Sequence, residues 1–330
     1  MKRVLFLGTG GTIASTPSEE GLLPTLRAED LIRIIPQLSE ICEIETQMTM
    51  NIDSSNMQPE DWVVIAEYVF QRLNEFDGVV IAHGTDTMAY TASALTFMIQ
   101  NLDKPVVLTG SQLSITEDGT DAKRNIIDAC IVATSGIRGV FVVFNGKIIK
   151  GCRSHKMDTR NFEAFESLNY PDMGTVFNKK ITFIRKPGPD LDNPPVLNTK
   201  YSTEVFLLKL FPGMDPKIFQ ALLDLNYRAV VIESFGAGGL PFLRRNLLPQ
   251  VEALIKRGAS IVITTQCQLG GSNLCVYEVG QKALELGVIP AYDMTTEAVV
   301  TKVMWALGQT EEREGIKKIM ETNYDDEVNL

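Results

Sequence analysis

Short apolar runs bounded by glycine or polar turn residues recur along the first half of the chain: Val4 to Leu7, Val79 to Ala82, Pro105 to Thr109 and Gly139 to Phe144. Continuous β-prone runs without alternation are the pattern of strands buried on both faces. Glu43 to Met50 alternates instead and reads as a half-buried strand. Between these runs, apolar positions fall at helical spacing. One such segment is Arg27 to Ile35, stopped by Pro36. A second starts at Pro59, with Trp62, Ile65, Ala66, Val69 and Leu73 on one face. An amphipathic, Ala-rich helix is expected from the His83-Gly84 turn to about Asn101, and another from Asp121. Asn145-Gly146 reads as a hairpin turn into Lys147 to Lys150, after which a long polar loop runs from Gly151 to Gly174. The βαβα alternation predicts an α/β fold with a mostly parallel sheet covered on both faces.

From Arg185 to Lys200 the composition shifts to Pro, Gly, Asp and Asn, as in a linker. The alternation then restarts, with strands expected at 205–210, 229–233 and 260–264 and helices near 216–225, 247–257, 276–286 and 297–307. The chain therefore divides into a larger N-terminal α/β domain over 1–185, a linker over 186–203 and a smaller C-terminal α/β domain over 204–330. Gly236-Ala237-Gly238-Gly239 lacks a nearby Lys and a following Ser or Thr, so it reads as a tight backbone turn or subunit contact, not a phosphate site.

Composition narrows the function. With 330 residues, 45% hydrophobic and 22% charged, the chain can bury a large core, and its length fits two domains. A net charge of -10 with no basic block argues against nucleic acid or an anionic membrane surface as partner. No apolar run approaches a membrane span or a signal-peptide core. Five cysteines (Cys42, Cys130, Cys152, Cys267, Cys275) without CxxC spacing fit reduced thiols in a cytoplasmic protein. Two histidines, His83 and His155, make a His-rich metal centre unexpected.

Candidate chemistry sits at three strand-to-turn junctions. Gly8-Thr9-Gly10-Gly11-Thr12 follows the first strand, and a Rossmann reading fails because Ile13 stands where that fingerprint needs glycine. Asn51-Ile52-Asp53-Ser54-Ser55-Asn56 follows the alternating strand, and His83-Gly84-Thr85-Asp86-Thr87 follows Val79 to Ala82. The last two have a bland alternative: the Asn51 to Asn56 cluster is only a loop plus N-cap before Pro59, and Thr85, Asp86 or Thr87 merely caps a helix. Strand carboxyl ends are, however, where ligands bind in such sheets. A hydroxyl nucleophile needs a base nearby or a proton relay ending in one, and a lysine can serve as that base when burial lowers its pKa. Spacing alone does not select Lys156 among the lysines, whose ordinary place is a solvated surface.

Thr9-Gly10-Gly11-Thr12-Ile13-Ala14 with His83-Gly84-Thr85-Asp86-Thr87 resembles the two signature motifs of bacterial-type L-asparaginases. Asp53-Ser54-Ser55-Asn56-Met57, Gly151-x-Arg153-x-x-Lys156 and Asp293-Met294-Thr295-Thr296-Glu297-Ala298 extend the likeness over essentially the whole chain. With no signal peptide in view, the chain is similar to the type I, cytoplasmic members. The resemblance implies the two-domain asparaginase-like fold and hydrolysis of L-asparagine to L-aspartate and ammonia. It implies Thr12 as the nucleophile and Thr85, Lys156 and Asp86 as a relay. Asp53, Ser54, Ser55, Thr85 and Asp86 would bind substrate, and the turns at Gly11 and Gly84 would offer amides to the oxyanion. It also implies no metal or organic cofactor, and a homodimer or homotetramer.

Two departures stand out. A polar flap is expected at Ser15 to Gly21, and many relatives carry a tyrosine one residue after the glycine that matches Gly21, where this chain has Leu22. Some type I relatives use an arginine in an allosteric substrate site where this chain has Glu233. The competing readings are a glutaminase-asparaginase of broader specificity, an ammonia-releasing subunit of a tRNA-dependent amidotransferase, and a non-catalytic amino-acid-binding module. The amidotransferase subunits carry a further domain before the first motif, which here begins at residue 9. A binding module would need the pocket but not Thr12, Thr85 and Lys156 together.

Overall fold

The computed structural model describes residues 1–18, 21–185 and 193–330. The chain divides into two units, Met1–Thr199 and Lys200–Leu330. In the first, the strands β1 (Arg3–Gly10), β2 (Ser15–Ser18), β3 (Gly21–Pro24), β4 (Glu43–Ile52), β5 (Gly78–Ala82), β6 (Ile99–Gln100), β7 (Pro105–Thr109), β8 (Gly139–Phe144) and β9 (Lys147–Lys150) are followed by β10 (Ser154–Lys156), β11 (Phe165–Ser167), β12 (Gly174–Phe177), β13 (Lys180–Phe183) and β14 (Val196–Leu197). Its helices are α1 (Ala28–Arg33), α2 (Pro59–Arg72), α3 (Met88–Met98) and α4 (Ala122–Ala133).

Eight strands form the main sheet in the order β13-β12-β9-β8-β7-β5-β1-β4. The run β8-β7-β5-β1-β4 is parallel, and β9, β12 and β13 continue it antiparallel. The sheet is thus mixed. The apolar runs occupy its centre because both faces there are covered. Val4, Phe6, Val80, Val107 and Phe141 pack with Ile126, Ala129 and Ala133 of α4 on one side. The alternate residues Leu5, Leu7, Val79, Ile81, Val106 and Leu108 are equally buried, and α3 lies against β7 and β8.

Several elements differ from the pattern reading. Helix α3 is not amphipathic: every residue but Tyr90 is buried, so its Ala, Ser and Thr positions serve close packing, not a wet face. Its small side chains let other elements approach from all sides, which a hydrophobicity pattern does not register. The polar flap is a β-hairpin, β2 paired antiparallel with β3, with residues 19–20 outside the described residues. Leu22 lies opposite Pro17 in that ladder. The long polar loop after Gly151 is interrupted by β10 and β11, which pair His155 with Glu166 and Lys156 with Phe165. Of the segment read as a linker over 186–203, residues 186–192 lie outside the described residues, and Val196–Leu197 forms β14, paired antiparallel with β6.

In the second unit, β15 (Val205–Lys209), β16 (Ala229–Ser234), β17 (Ser260–Thr265) and β18 (Ile289–Pro290) form a parallel sheet in sequence order. The helices are α5 (Lys217–Asp224), α6 (Leu248–Lys256), α7 (Glu278–Glu285), α8 (Thr296–Gln309) and α9 (Arg313–Glu321). The short strands β12, β13 and β18 and the helix α9 are beyond what the pattern reading expected. Gly236 to Gly239 is a tight turn, with the Gly238 and Gly239 N–H groups donating to Phe235 O at 3.0 and 2.8 Å. The Asp293 to Ala298 motif holds local structure: Thr295 Oγ1 caps α8 by accepting Ala298 N–H, and Asp293 accepts Asn329 N–H at 2.8 Å.

The tail of this unit is tied down by a fully buried ion pair. Lys302 on α8 donates to Glu327 Oε1 at 2.6 Å, and neither side chain reaches solvent. Lys302 Nζ also donates to Met320 O and Thr322 O, while Glu327 accepts N–H groups from Tyr324 and Asp325. Two buried charges are tolerable only when all their hydrogen-bond capacity is used. We expect Glu327→Leu to leave a buried ammonium uncompensated and cost about 3–5 kcal/mol, read as a lowered urea midpoint. An unchanged midpoint would show that the tail is not anchored through Lys302.

Candidate active site

Strands β4, β1 and β5 are neighbours and all parallel, so their carboxyl ends open on the same edge of the sheet. The three turns that follow them carry Thr12, Ser54 and Thr85. Topology therefore gathers residues separated by more than seventy positions, with β1 in the middle.

The turns approach one another at backbone contact. Gly11 has φ +78°, and a Cβ there would lie 2.4 Å from Gly84 Cα and 2.5 Å from Gly84 N. A Cβ on Gly84 would in turn meet Ser54 Cβ and Oγ at 2.6 Å. Only glycine fits at both positions. Gly11 N–H donates to Ile52 O at 2.9 Å, so this amide is already engaged and is not an open oxyanion donor. Gly11 serves the site sterically, and its carbonyl accepts from Ser15 Oγ at 2.9 Å and Ala14 N–H at 3.1 Å.

Lys156 comes from β10, whose pairing with β11 fixes the backbone that bears it. Its ammonium donates to Thr85 Oγ1 at 2.7 Å and to Asp86 Oδ1 at 2.7 Å. The Lys156 side chain is 15% exposed and that of Asp86 57%, while Thr85 is buried. The cation thus sits inside, bridging a buried hydroxyl and a carboxylate that reaches solvent. With one of its two lone pairs taken by the ammonium, the Thr85 hydroxyl keeps its proton free to donate elsewhere.

Thr85, Asp86 and Thr87 do not cap α3. Thr87 holds the N-cap position without a side-chain cap bond, and its hydroxyl donates to Ser54 O at 2.8 Å. Ser54 Oγ accepts Asp86 N–H at 3.2 Å. These two bonds stitch the turn after β4 to the turn after β5. Asp53 and Ser55 are exposed, and Asp53 accepts Ser55 N–H at 2.8 Å as a local cap. Thr12 opens a 3-10 turn, Thr12–Ala14, is partly exposed, and its hydroxyl bonds to no other described residue. The base of the hairpin beyond it is held by Ser114, whose hydroxyl donates to Ser15 O at 2.6 Å.

Sequence reasoning passed over His83 and Thr91 as a pair. His83 is fully buried at the end of β5, with Nδ1 2.6 Å from Gly84 O and Nε2 2.9 Å from Thr91 Oγ1. Burial lowers its pKa to about 4, against the opposing effect of the Gly84 carbonyl. The available signal was a histidine closing an apolar strand, where solvent is absent.

Residues 3–188 match the family described as "Asparaginase, N-terminal", and residues 204–320 match "Glutaminase/Asparaginase C-terminal domain". The L-asparaginase of Thermococcus kodakarensis is 45% identical over 327 residues, 99% of each chain. The solved structure of the thermostable L-asparaginase from that organism superposes with a TM-score of 0.94 at 44% identity, covering 99% of each chain. L-asparaginase I from Vibrio cholerae superposes with a TM-score of 0.90 at 31% identity, covering 100% of this chain and 99% of the other. A subunit of the Glutamyl-tRNA(Gln) amidotransferase of Pyrococcus abyssi is 38% identical over 99% of this chain and 77% of its own length.

Gly11→Ala tests the close approach. The added methyl meets backbone, which cannot swing aside as a side chain would, and the positive φ adds strain. We expect the Thr12 and Thr85 turns to separate and turnover to fall by about a hundredfold or more, measured as ammonia release. Wild-type turnover in a folded Gly11→Ala protein would overturn the steric reading.

Proposed function

The chain belongs to the asparaginase family, and from that premise we propose that it hydrolyses the side-chain amide of L-asparagine to L-aspartate and ammonia through an ester on Thr12. The single observation that carries the reading is the Lys156 ammonium held 2.7 Å from both Thr85 Oγ1 and Asp86 Oδ1, beside the turn that presents Thr12. A pocket evolved only to bind an amino acid has no need of a lysine pointed at a buried threonine hydroxyl.

The chemistry runs in two steps. The Thr12 hydroxyl attacks the amide carbon, its proton passes toward the departing nitrogen, the C–N bond breaks and ammonia leaves. Water then attacks the ester, restoring the hydroxyl and releasing aspartate. Splitting amide hydrolysis this way lowers each barrier. Thr85, oriented by Lys156, is positioned to hand the proton along. Asp86, partly in solvent, can take the substrate α-amine while neutralising Lys156. Ser54, Asp53 and Ser55 line the third turn and are the candidates for the α-carboxylate end. Gly84 and Thr85 N–H groups make no bond to another described residue, which suits them to the developing oxyanion. No step requires a metal or organic cofactor. A cytoplasmic homodimer or homotetramer remains the assembly that the family likeness favours.

The amidotransferase likeness supports a second reading, release of ammonia for a partner. Both readings share the hydrolytic step; turnover of free asparagine by the isolated chain favours the first, and turnover only with a tRNA-bound partner the second.

Two outcomes follow. L-asparagine should be hydrolysed well ahead of L-glutamine, since one methylene in a fitted pocket is worth about 1–3 kcal/mol; equal kcat/KM values would defeat this. Thr12→Ala should abolish turnover and any covalent adduct, while Thr85→Val should cripple turnover yet still acylate slowly at Thr12. Intact-mass and peptide-mapping spectra with asparagine read both. An aspartyl ester on Thr85 in the Thr12→Ala protein would reverse the assignment.

A further inference from the structure

We infer that His83, which touches no reacting atom, is a positioning residue: its neutral imidazole fixes the plane of the Gly84–Thr85 peptide and so sets the direction of the Thr85 N–H and side chain. The inference rests on the proposed hydrolysis at Thr12 and deepens it.

The argument starts from what each ring nitrogen can do. Gly84 O is only an acceptor, so the nitrogen 2.6 Å from it, Nδ1, carries the proton and donates. In a neutral ring Nε2 is then a lone pair, and the Thr91 hydroxyl 2.9 Å away donates to it. Full burial keeps the ring neutral, so this tautomer is the one state the pocket accommodates. Thr91 lies on the first full turn of α3, a rigid and almost wholly buried support. The His83 backbone is fixed as well, its N–H donating to Thr109 O at 2.8 Å as a continuation of the β5–β7 ladder.

A trans peptide is planar, and its C=O and N–H point in opposite directions. Holding Gly84 C=O against Nδ1 therefore turns the Thr85 N–H away from the ring. Gly84 has no side chain to limit its own rotation, and its freedom is the reason an external clamp is needed. Gly11 and Ser54 press on Gly84 from two other sides without bonding to its carbonyl. His83 is the group that selects the peptide orientation, and the Thr85 hydroxyl, bonded to Lys156, follows it.

The test compares His83→Asn, His83→Leu and Thr91→Val by kcat and KM on L-asparagine, with thermal midpoints measured alongside. Asparagine can offer an N–H near the place of Nδ1, whereas leucine offers none. His83→Leu is expected to lose about a hundredfold in kcat, with KM changed by no more than about threefold, and His83→Asn to recover most of that loss. Thr91→Val should fall between them and serves if His83→Leu does not fold. Equal losses in the asparagine and leucine variants, or a folded leucine variant with wild-type kcat, would overturn the inference, as would loss of KM alone. Imidazole nitrogen NMR of the wild-type protein at neutral pH reads the tautomer without reference to activity. A proton on Nδ1 supports the positioning role, and a proton on Nε2 overturns it even if the chain proves inactive on asparagine.

Discussion

The contact between three backbone turns is the constraint on which the site depends. Gly11, Gly84 and Ser54 meet at distances that leave no room for a methyl group on either glycine. That contact brings the carboxyl ends of three parallel strands into one place, and it is possible only because β1 lies between β4 and β5. Side-chain bonds then fasten the turns: Ser54 Oγ to Asp86 N–H, Thr87 Oγ1 to Ser54 O, and Thr9 Oγ1 to Ala82 O. Rigid strands give such turns a precision that free loops lack.

Lys156 reaches this place from elsewhere in the chain. The antiparallel pairing of β10 with β11 turns what would be loop into a short ladder, which limits the directions the lysine can take. Beneath it, Phe144 packs against Phe165 with ring centroids 5.0 Å apart, so the ladder is seated on the end of the main sheet. The ammonium is consequently held by geometry on one side and by Asp86 on the other. A lysine so placed is far from its usual solvated condition.

Different physical devices secure the second unit. Its parallel sheet buries Val230, Ile232, Ile261 and Ile263 against α5 and α6 through Phe219, Leu222, Val251 and Leu254. Its tail, by contrast, is fixed by polar bonds around Lys302 and Glu327. An apolar pairing at that position would offer comparable burial, but the lysine also satisfies the carbonyls of Met320 and Thr322 at the end of α9.

Much of this was legible in the residues themselves. The buried strands Val4 to Leu7, Val79 to Ala82, Pro105 to Thr109 and Gly139 to Phe144 follow from apolar runs too continuous for a half-wet sheet. The helix from Pro59 follows from its 3.6 spacing, and the turns at Thr12, Ser54 and Thr85 from glycine and hydroxyl residues placed just after strands. Family resemblance named Asp86 and Lys156. Local pattern could not say that β1 sits between β4 and β5, because strand order is set by long-range pairing. It misread α3 as amphipathic, since small residues pack on all sides without looking hydrophobic, and it missed β10 to β13, whose short strands owe their form to their partners. The position of Lys156 against Thr85, 71 residues away, and the Thr91 hydroxyl that holds the His83 ring belong to the tertiary structure alone. A side chain's bonding depends on what the fold carries next to it, and no neighbour along the sequence contains that information.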